Sequence, residues 1–253
     1  MVDSQNPIHA AVTPQRRPKS RNGVSRLNRG ILFVVSGASG VGKGSILSLV
    51  LASETPERVF FSVSWTTRER RPREIEAKDY HFVGRDQFLA ELNDPTGGGF
   101  LEHAEFVGNL YGTPCRPVEA ALSAGRDVVL DIELDGAMQV KRSMPDAVFI
   151  LVVPPSLSIL RMRLLRRGTD ALPVIAKRLE RAIEDMSRAR HFDYVIENDE
   201  LHTAVDDLLA VLRSERLRYT RQDGAELARH SSRDEALERE LDRTEEKIRA
   251  SGA

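Results

Sequence analysis

ILFVVSGASGVGKGS, residues Ile31 to Ser45, joins an apolar run to a glycine-rich turn, a lysine and a helix-competent segment. Gly37, Gly42 and Lys43 have the spacing of a phosphate-binding loop. Such a loop turns its backbone N–H groups inward toward phosphate oxygens, and side chains would block that approach. The lysine adds a point charge for β- and γ-phosphates, and the following helix adds its positive N-terminal end. One position departs from the usual pattern. Ser or Thr normally follows the lysine to meet Mg²⁺, and here Gly44 stands there with Ser45 one residue on. A strand-turn-helix without a ligand would account for the glycines but not for Lys43.

A chain of 253 residues holds one well-cored domain plus tails. Lys and Arg number 37 against 38 Asp and Glu, so the formal charge of −1 excludes a general nucleic-acid-binding role, which needs a basic excess. The single cysteine, Cys115, excludes an intrachain disulfide framework and a cysteine zinc site, and it reads as a small packing residue. A reducing, cytoplasmic setting is the expectation. No apolar run reaches the length of a membrane span, and no signal-peptide core opens the chain.

From Ile31 onward, strand-like and helix-like segments alternate. The pattern predicts strands over 31–35, 59–63, 127–132, 147–153 and 194–196. It predicts helices over 43–52, 85–92, 118–124, 136–143, 156–166, 173–189 and 201–218. Alternation of this kind implies crossover units and a parallel sheet, and the runs VVLDI and VFILVV suit strands buried on both faces. Ligands then bind at the carboxyl ends of the strands, where Gly37 lies. Residues 64–122 are polar and turn-rich, and read as an insertion carrying a substrate lobe, with PTGGG at 95–99 as a loop tip. Residues 1–29 are rich in Arg, Pro, Ser and Asn and read as a disordered basic tail. Residues 218–253 are charged with interleaved signs and read as a solvated helix or a short partner helix.

Further motifs appear in order: SVSWTTRERRP from Ser62, Asp79-Tyr80, FLEHAEF from Phe100 and GNLYGTP from Gly108. DIELDGA from Asp131, RRGTD from Arg166, IAKRL from Ile175 and DYVIENDEL from Asp193 follow. With the loop, this ordered set resembles the guanylate kinase family over about residues 30–215. The resemblance implies an α/β fold, a P-loop NTPase-type parallel sheet flanked by helices, with an inserted GMP-binding lobe and a helical lid. It implies a domain over 30–217, with its core at 30–63 and 123–217, the insertion at 64–122 and the lid at about 163–190. The activity implied is phosphoryl transfer from ATP to GMP with Mg²⁺, with dGMP as a candidate second acceptor. No specific nucleic acid and no membrane is expected as a partner, and monomer and homo-oligomer both stay open.

The resemblance also assigns roles residue by residue. Gly37, Ala38, Ser39, Gly40, Val41, Gly42, Lys43, Gly44 and Ser45 would hold the ATP phosphates, with Asn198 near adenine. Arg68 and Arg71 would bind the GMP phosphate with the hydroxyls of Tyr80 and Tyr111. An Arg fork meets phosphate oxygens two at a time. Guanine presents donors at N1 and N2, which a carboxylate accepts together. Glu102 matches that role, Glu133 is a second acid nearby, and Ser64 and Thr113 are hydroxyls beside the base. Arg163, Arg167 and Arg178 resemble lid arginines that close on the transferring group. Asp131 would face Mg²⁺ and phosphate, with Ser45 as a further metal oxygen. The acceptor phosphate is already ionised, so catalysis needs positioning and positive charge rather than a general base.

Taken singly, several of these residues have plainer readings. Arg163 and Arg167 could be a solvated helix face, Tyr80 and Tyr111 half-buried aromatics, and Glu102 a surface acid. Ala38, Gly44, Arg73 and Asp135 depart from the family pattern, and Arg73 and Asp135 bear most on rate because they lie beside substrate positions. A non-catalytic guanylate-kinase-like binding module, or a P-loop kinase for another nucleotide or a sugar phosphate, are the competing functions. The retained loop glycines and Lys43 speak against the first, and the Ser64, Glu102 and Thr113 set against the second.

Overall fold

The computed structural model describes residues 29–53, 58–96, 98–168 and 171–218. Expectations for the tails at 1–28 and 219–253, for Gly97 in PTGGG and for Thr169 in the lid turn lie outside the described residues. The chain runs β1 (Leu32–Ser36), α1 (Lys43–Ser53), β2 (Val59–Phe61), β3 (Trp65–Thr66), β4 (His81–Phe82), α2 (Arg85–Leu92), β5 (Phe100–Phe106) and β6 (Asn109–Pro114). It continues α3 (Cys115–Ser123), β7 (Asp127–Asp131), α4 (Leu134–Ser143), β8 (Val148–Val153), α5 (Leu157–Arg167), α6 (Leu172–Ser187), β9 (Tyr194–Glu197) and α7 (Leu201–Leu217).

Five strands form one parallel sheet in the order β2-β7-β1-β8-β9. Its central strands are buried on both faces, which is why their sequences read as apolar runs rather than alternations. Phe33, Val35 and Ile150 pack with Ile46 of α1 and Leu208 of α7 on one side. Val34, Leu130 and Phe149 pack with Val118 of α3 and Val140 of α4 on the other. Strand order reverses at β1, whose neighbours are β7 and β8. The crevice at its carboxyl end is where such sheets take ligands. At the opposite end, Asp127 accepts from the Ile31 amide (2.8 Å) and from Arg216 Nε (2.5 Å), tying β7, β1 and the last turn of α7 together.

The inserted segment is more regular than its composition suggests. It carries a second, four-stranded mixed sheet, β4-β3-β6-β5, where turns and two helices but no strands were expected. FLEHAEF and GNLYGTP are its antiparallel hairpin, closed by Val107 (φ 50°) and Gly108 (φ 75°). Two left-handed residues between paired strands form the turn whose twist suits a hairpin. The polar outer residues of β5 hid this strand in the sequence. Elsewhere the boundaries shift by a few residues. The strand expected over 59–63 ends at Phe61, and the helix expected from 118 begins at Cys115.

Helices α5 and α6 pack together through Leu160, Leu164, Ile175 and Ala182, and they share that cluster with Ala38 of the loop after β1. The Ser156 hydroxyl caps α5 by accepting from the Ile159 amide (3.1 Å), and Gly168 ends it in the left-handed conformation (φ 65°).

Candidate active site

The loop after β1 holds its shape through positions only glycine can occupy. Gly37 has φ 146°, and a side chain there would stand 2.2 Å from the Val152 carbonyl of the neighbouring strand. Gly42 has φ 102°, and a side chain would meet the Asn198 amide nitrogen at 2.3 Å. Lys43, at the start of α1, turns back and donates to the Gly37 carbonyl, with Asp131 of β7 at 3.8 Å. Asp131 is half-buried at the end of its strand, with 30 % of its side chain open to solvent. That burial raises its pKa, against the pull of Lys43 and with the push of Glu133. Ser45 and Gly44 are exposed on the first turn of α1, and a side chain at Gly44 would meet open space.

Three of the predicted residues close on this loop from α5, α6 and the segment after β9. Arg163 donates to the carbonyls of Val41 (3.4 Å) and Asp199 (3.3 Å). Arg178 donates to the Ser39 hydroxyl. Asn198 is buried, and its side-chain amide donates to the Val41 carbonyl (2.7 Å). In this structure Asn198 therefore also shapes the loop. Arg167 and Arg166 join Gly40, Ser45 and Asn198 around a concavity of about 450 Å³ beside the loop.

A second group assembles in the inserted lobe. Glu102 is buried on β5, and Thr113 of β6 donates to its Oε1 (2.6 Å). The Ser64 hydroxyl is 3.3 Å from that of Thr113. The hairpin register shifts between Phe100 and Glu102, an irregularity that re-aims the carboxylate. Burial pushes the Glu102 carboxyl above its usual range, Thr113 pulls it back, and Glu133 pushes it further up. Arg68 lies 5.6 Å over the Tyr80 ring, and the Tyr80 and Tyr111 rings meet edge to face at 6.0 Å. Burial, with the nearby Tyr111, raises the Tyr80 hydroxyl pKa, so it is protonated and able to donate near neutral pH.

Sequence reading missed the holder of Arg68. Glu74 accepts from both terminal nitrogens of Arg68 (3.1 and 2.8 Å) and from the Arg71 amide (2.8 Å). Six residues of extended chain span about 20 Å, so only the closed turn at 71–75 brings the pair together. Arg73 fits this turn as an ordinary residue, since Ala77 and Val107 are the non-glycine residues with positive φ among those described. Arg71 stays exposed, and Glu133 is exposed at the N-cap of α4.

Asp135 is held by two arginines rather than left free beside the substrate positions. It pairs with Arg181 (2.5 Å) and Arg188 (3.0 Å), tying α4 to α6 and the residue after it. Burial is the largest single influence and raises its carboxyl, but the two guanidiniums together outweigh it and draw the group below the usual range. Burial pushes the Cys115 thiol up to about 11, which makes it inert and fits a packing role.

A glycine-shaped loop with a lysine, arginines packed on it and a buried carboxylate in the inserted lobe make an arrangement suited to two phosphate-bearing molecules. Comparison with known proteins agrees. Residues 29–215 match the family model described as guanylate kinase. The chain is 52 % identical over 214 residues to a guanylate kinase of Thermus thermophilus, covering 85 % of this chain and 94 % of the relative. It is 51 % identical over 207 residues to that of Deinococcus radiodurans, covering 81 % and 83 %. The crystal structure of guanylate kinase from Anaplasma phagocytophilum superposes with a TM-score of 0.62 at 31 % identity, covering 78 % of this chain and 91 % of that one.

Proposed function

This chain belongs to the guanylate kinase family and moves the γ-phosphoryl group of ATP onto GMP; from that premise we propose how its residues divide the work. Residues 64–122 serve as the GMP lobe and about 163–190 as the lid, within a domain spanning 30–217.

The ATP phosphates lie along the amides of residues 37–45, with Lys43 on the β- and γ-oxygens. Lys43 leaves its intramolecular partner, the Gly37 carbonyl, when phosphate is present, because the anion is the stronger acceptor. The adenosine end takes the concavity lined by Arg163, Arg167 and Asn198. The phosphate of GMP is held by Arg68, Arg71, Tyr80 and Tyr111, and Glu74 keeps the Arg68 fork in place. Arg163, Arg167 and Arg178 carry the charge that develops on the transferring group. No proton need be removed from the acceptor, so no general base is assigned.

The observation carrying the acceptor assignment is the buried Glu102 carboxylate with Thr113 on one oxygen. The base edge of guanine offers two donors to such a group. Adenine offers an acceptor at N1 and leaves the carboxylate unpaired, a costly mismatch in a buried site.

Mg²⁺ fits the residues present. Among the described residues no three His, Cys, Asp or Glu side chains form a cage. Mg²⁺ needs only one or two carboxylates with phosphates and water. Asp131 would supply the carboxylate and Ser45 a second oxygen. When bound, the ion neutralises charge on the β- and γ-phosphates. No helix among the described residues is long and apolar enough to cross a membrane. The single cysteine and the nucleotide substrates favour work in the cytoplasm.

The test is Glu102→Gln assayed with GMP and AMP at saturating Mg-ATP. Loss of one or two charge-assisted bonds, about 2–4 kcal/mol, predicts a roughly 30- to 1,000-fold fall in kcat/KM for GMP. The preference over AMP should narrow as well. If both survived, Glu102 would not be the guanine acceptor.

A further inference from the structure

Helix α4 passes directly beside β5, and the two meet at one residue without a side chain. A methyl group on Gly136 would stand 2.6 Å from Glu102 Oε2, 3.1 Å from its Cδ and 3.3 Å from its Cγ. Those distances lie inside van der Waals contact, so either the helix or the carboxylate would have to move.

The helix is the fixed partner. One turn beyond Gly136, Gln139 bonds the backbone of His103 twice. Its Oε1 accepts from the His103 amide (3.2 Å), and its Nε2 donates to the His103 carbonyl (2.9 Å). Ala137 and Val140 are fully buried against the main sheet. The other side of the carboxylate is closed too, because Thr113 is fully buried and holds Oε1 at 2.6 Å. Glu102 thus sits in a slot with Thr113 on one oxygen and the bare Gly136 backbone beside the other. Gly136 also lies in the first turn of α4, where helix amides carry partial positive charge. A buried carboxylate gains from that position.

We propose that Gly136 is a specificity-positioning residue, whose missing side chain leaves the room in which Glu102 takes up its guanine-accepting orientation. The inference rests on the reading of Glu102 as the guanine acceptor. Gly136 touches neither substrate in this scheme and acts through Glu102. The conformational freedom of glycine is not what is needed, since helical backbone suits alanine better. What is needed is volume.

The experiment is a double-mutant cycle of Gly136→Ala and Glu102→Gln. Kinetics are measured with GMP and with inosine monophosphate, which lacks the 2-amino donor, and each protein is melted. Gly136→Ala should raise KM for GMP by roughly 10- to 100-fold, the loss expected for a bond to a charged group. Its kcat should hold, and its melting temperature should stay level or rise. The preference for GMP over inosine monophosphate should fall. In the Glu102→Gln background the same substitution should add no more than about twofold, because its target is already disabled. A Gly136→Ala enzyme with wild-type KM and preference, beside a defective Glu102→Gln enzyme, would sink this inference and spare the Glu102 reading. A Glu102→Gln enzyme that behaves as wild type would remove the Glu102 reading and the inference with it. A kinetic loss that persists undiminished in the Glu102→Gln background, with a lowered melting temperature, would make Gly136 merely structural.

Discussion

Replacing Asp185 by asparagine should stabilise this protein at neutral pH and leave it unchanged in acid. Asp185 lies on α6 and is only 6 % exposed. Its Oδ1 is buried without a hydrogen bond, and the nearest cation, Arg181 Nε, is 3.5 Å away. Burial pushes its carboxyl from 3.8 up to about 6. Arg181 and Lys43 oppose the rise, while Glu133 and Asp135 add to it. The folded state therefore holds a proton that the unfolded chain has released. Stability is lost as pH rises from about 4 through about 6, and the full penalty is present at about pH 7 and above. A displacement of this size costs about 3 kcal/mol. That figure is already net of the opposing pull of Arg181 and Lys43. Asparagine's own buried amide takes back part of it, about 1 kcal/mol. The net gain should be about 2 kcal/mol at about pH 7.5, or about 4–8 °C in melting temperature, and near zero at about pH 4. Urea unfolding of both proteins across that range measures the difference directly. A variant less stable than wild type at pH above about 7, or a difference that does not vary with pH, would refute the reasoning.

Two other outcomes follow from the loop. Lys43→Ala should lower kcat by roughly 10²- to 10³-fold or more, because it removes a preorganised charge from the transferring group. Its circular dichroism should match wild type, and retained turnover would count against the loop as the ATP site. Gly44→Ser should fold with slightly higher stability, about 0.5 kcal/mol, because a side chain there meets open space on a helix. It should also lower the Mg²⁺ concentration giving half-maximal rate, by supplying a hydroxyl directly after the lysine. A Mg²⁺ titration superimposable on wild type would show that this position does not reach the ion.

Much of the fold was legible in the sequence because parallel strands buried on both faces leave continuous apolar runs. VVLDI and VFILVV could be placed for that reason, and the helices by their alternation with such runs. The loop was legible because phosphate binding demands glycines and a lysine within a few residues of chain. The second sheet was not, because β5 exposes most of its residues and shows no apolar stripe. Asp135 looked like a hazard beside the substrate in one dimension. Its partners Arg181 and Arg188 lie 46 and 53 residues away and appear only once α6 folds back over α4.

Sequence alone determined the class of chemistry, since the spacing of loop residues and the order of motifs are one-dimensional facts tied to local backbone geometry. Tertiary structure decided which side chains hold which. Asn198 under the loop and Gly136 against Glu102 are contacts between segments whose approach is set by packing, and Glu74 meets Arg68 only across the turn between them. A glycine's worth as empty space can be read only from what stands next to it.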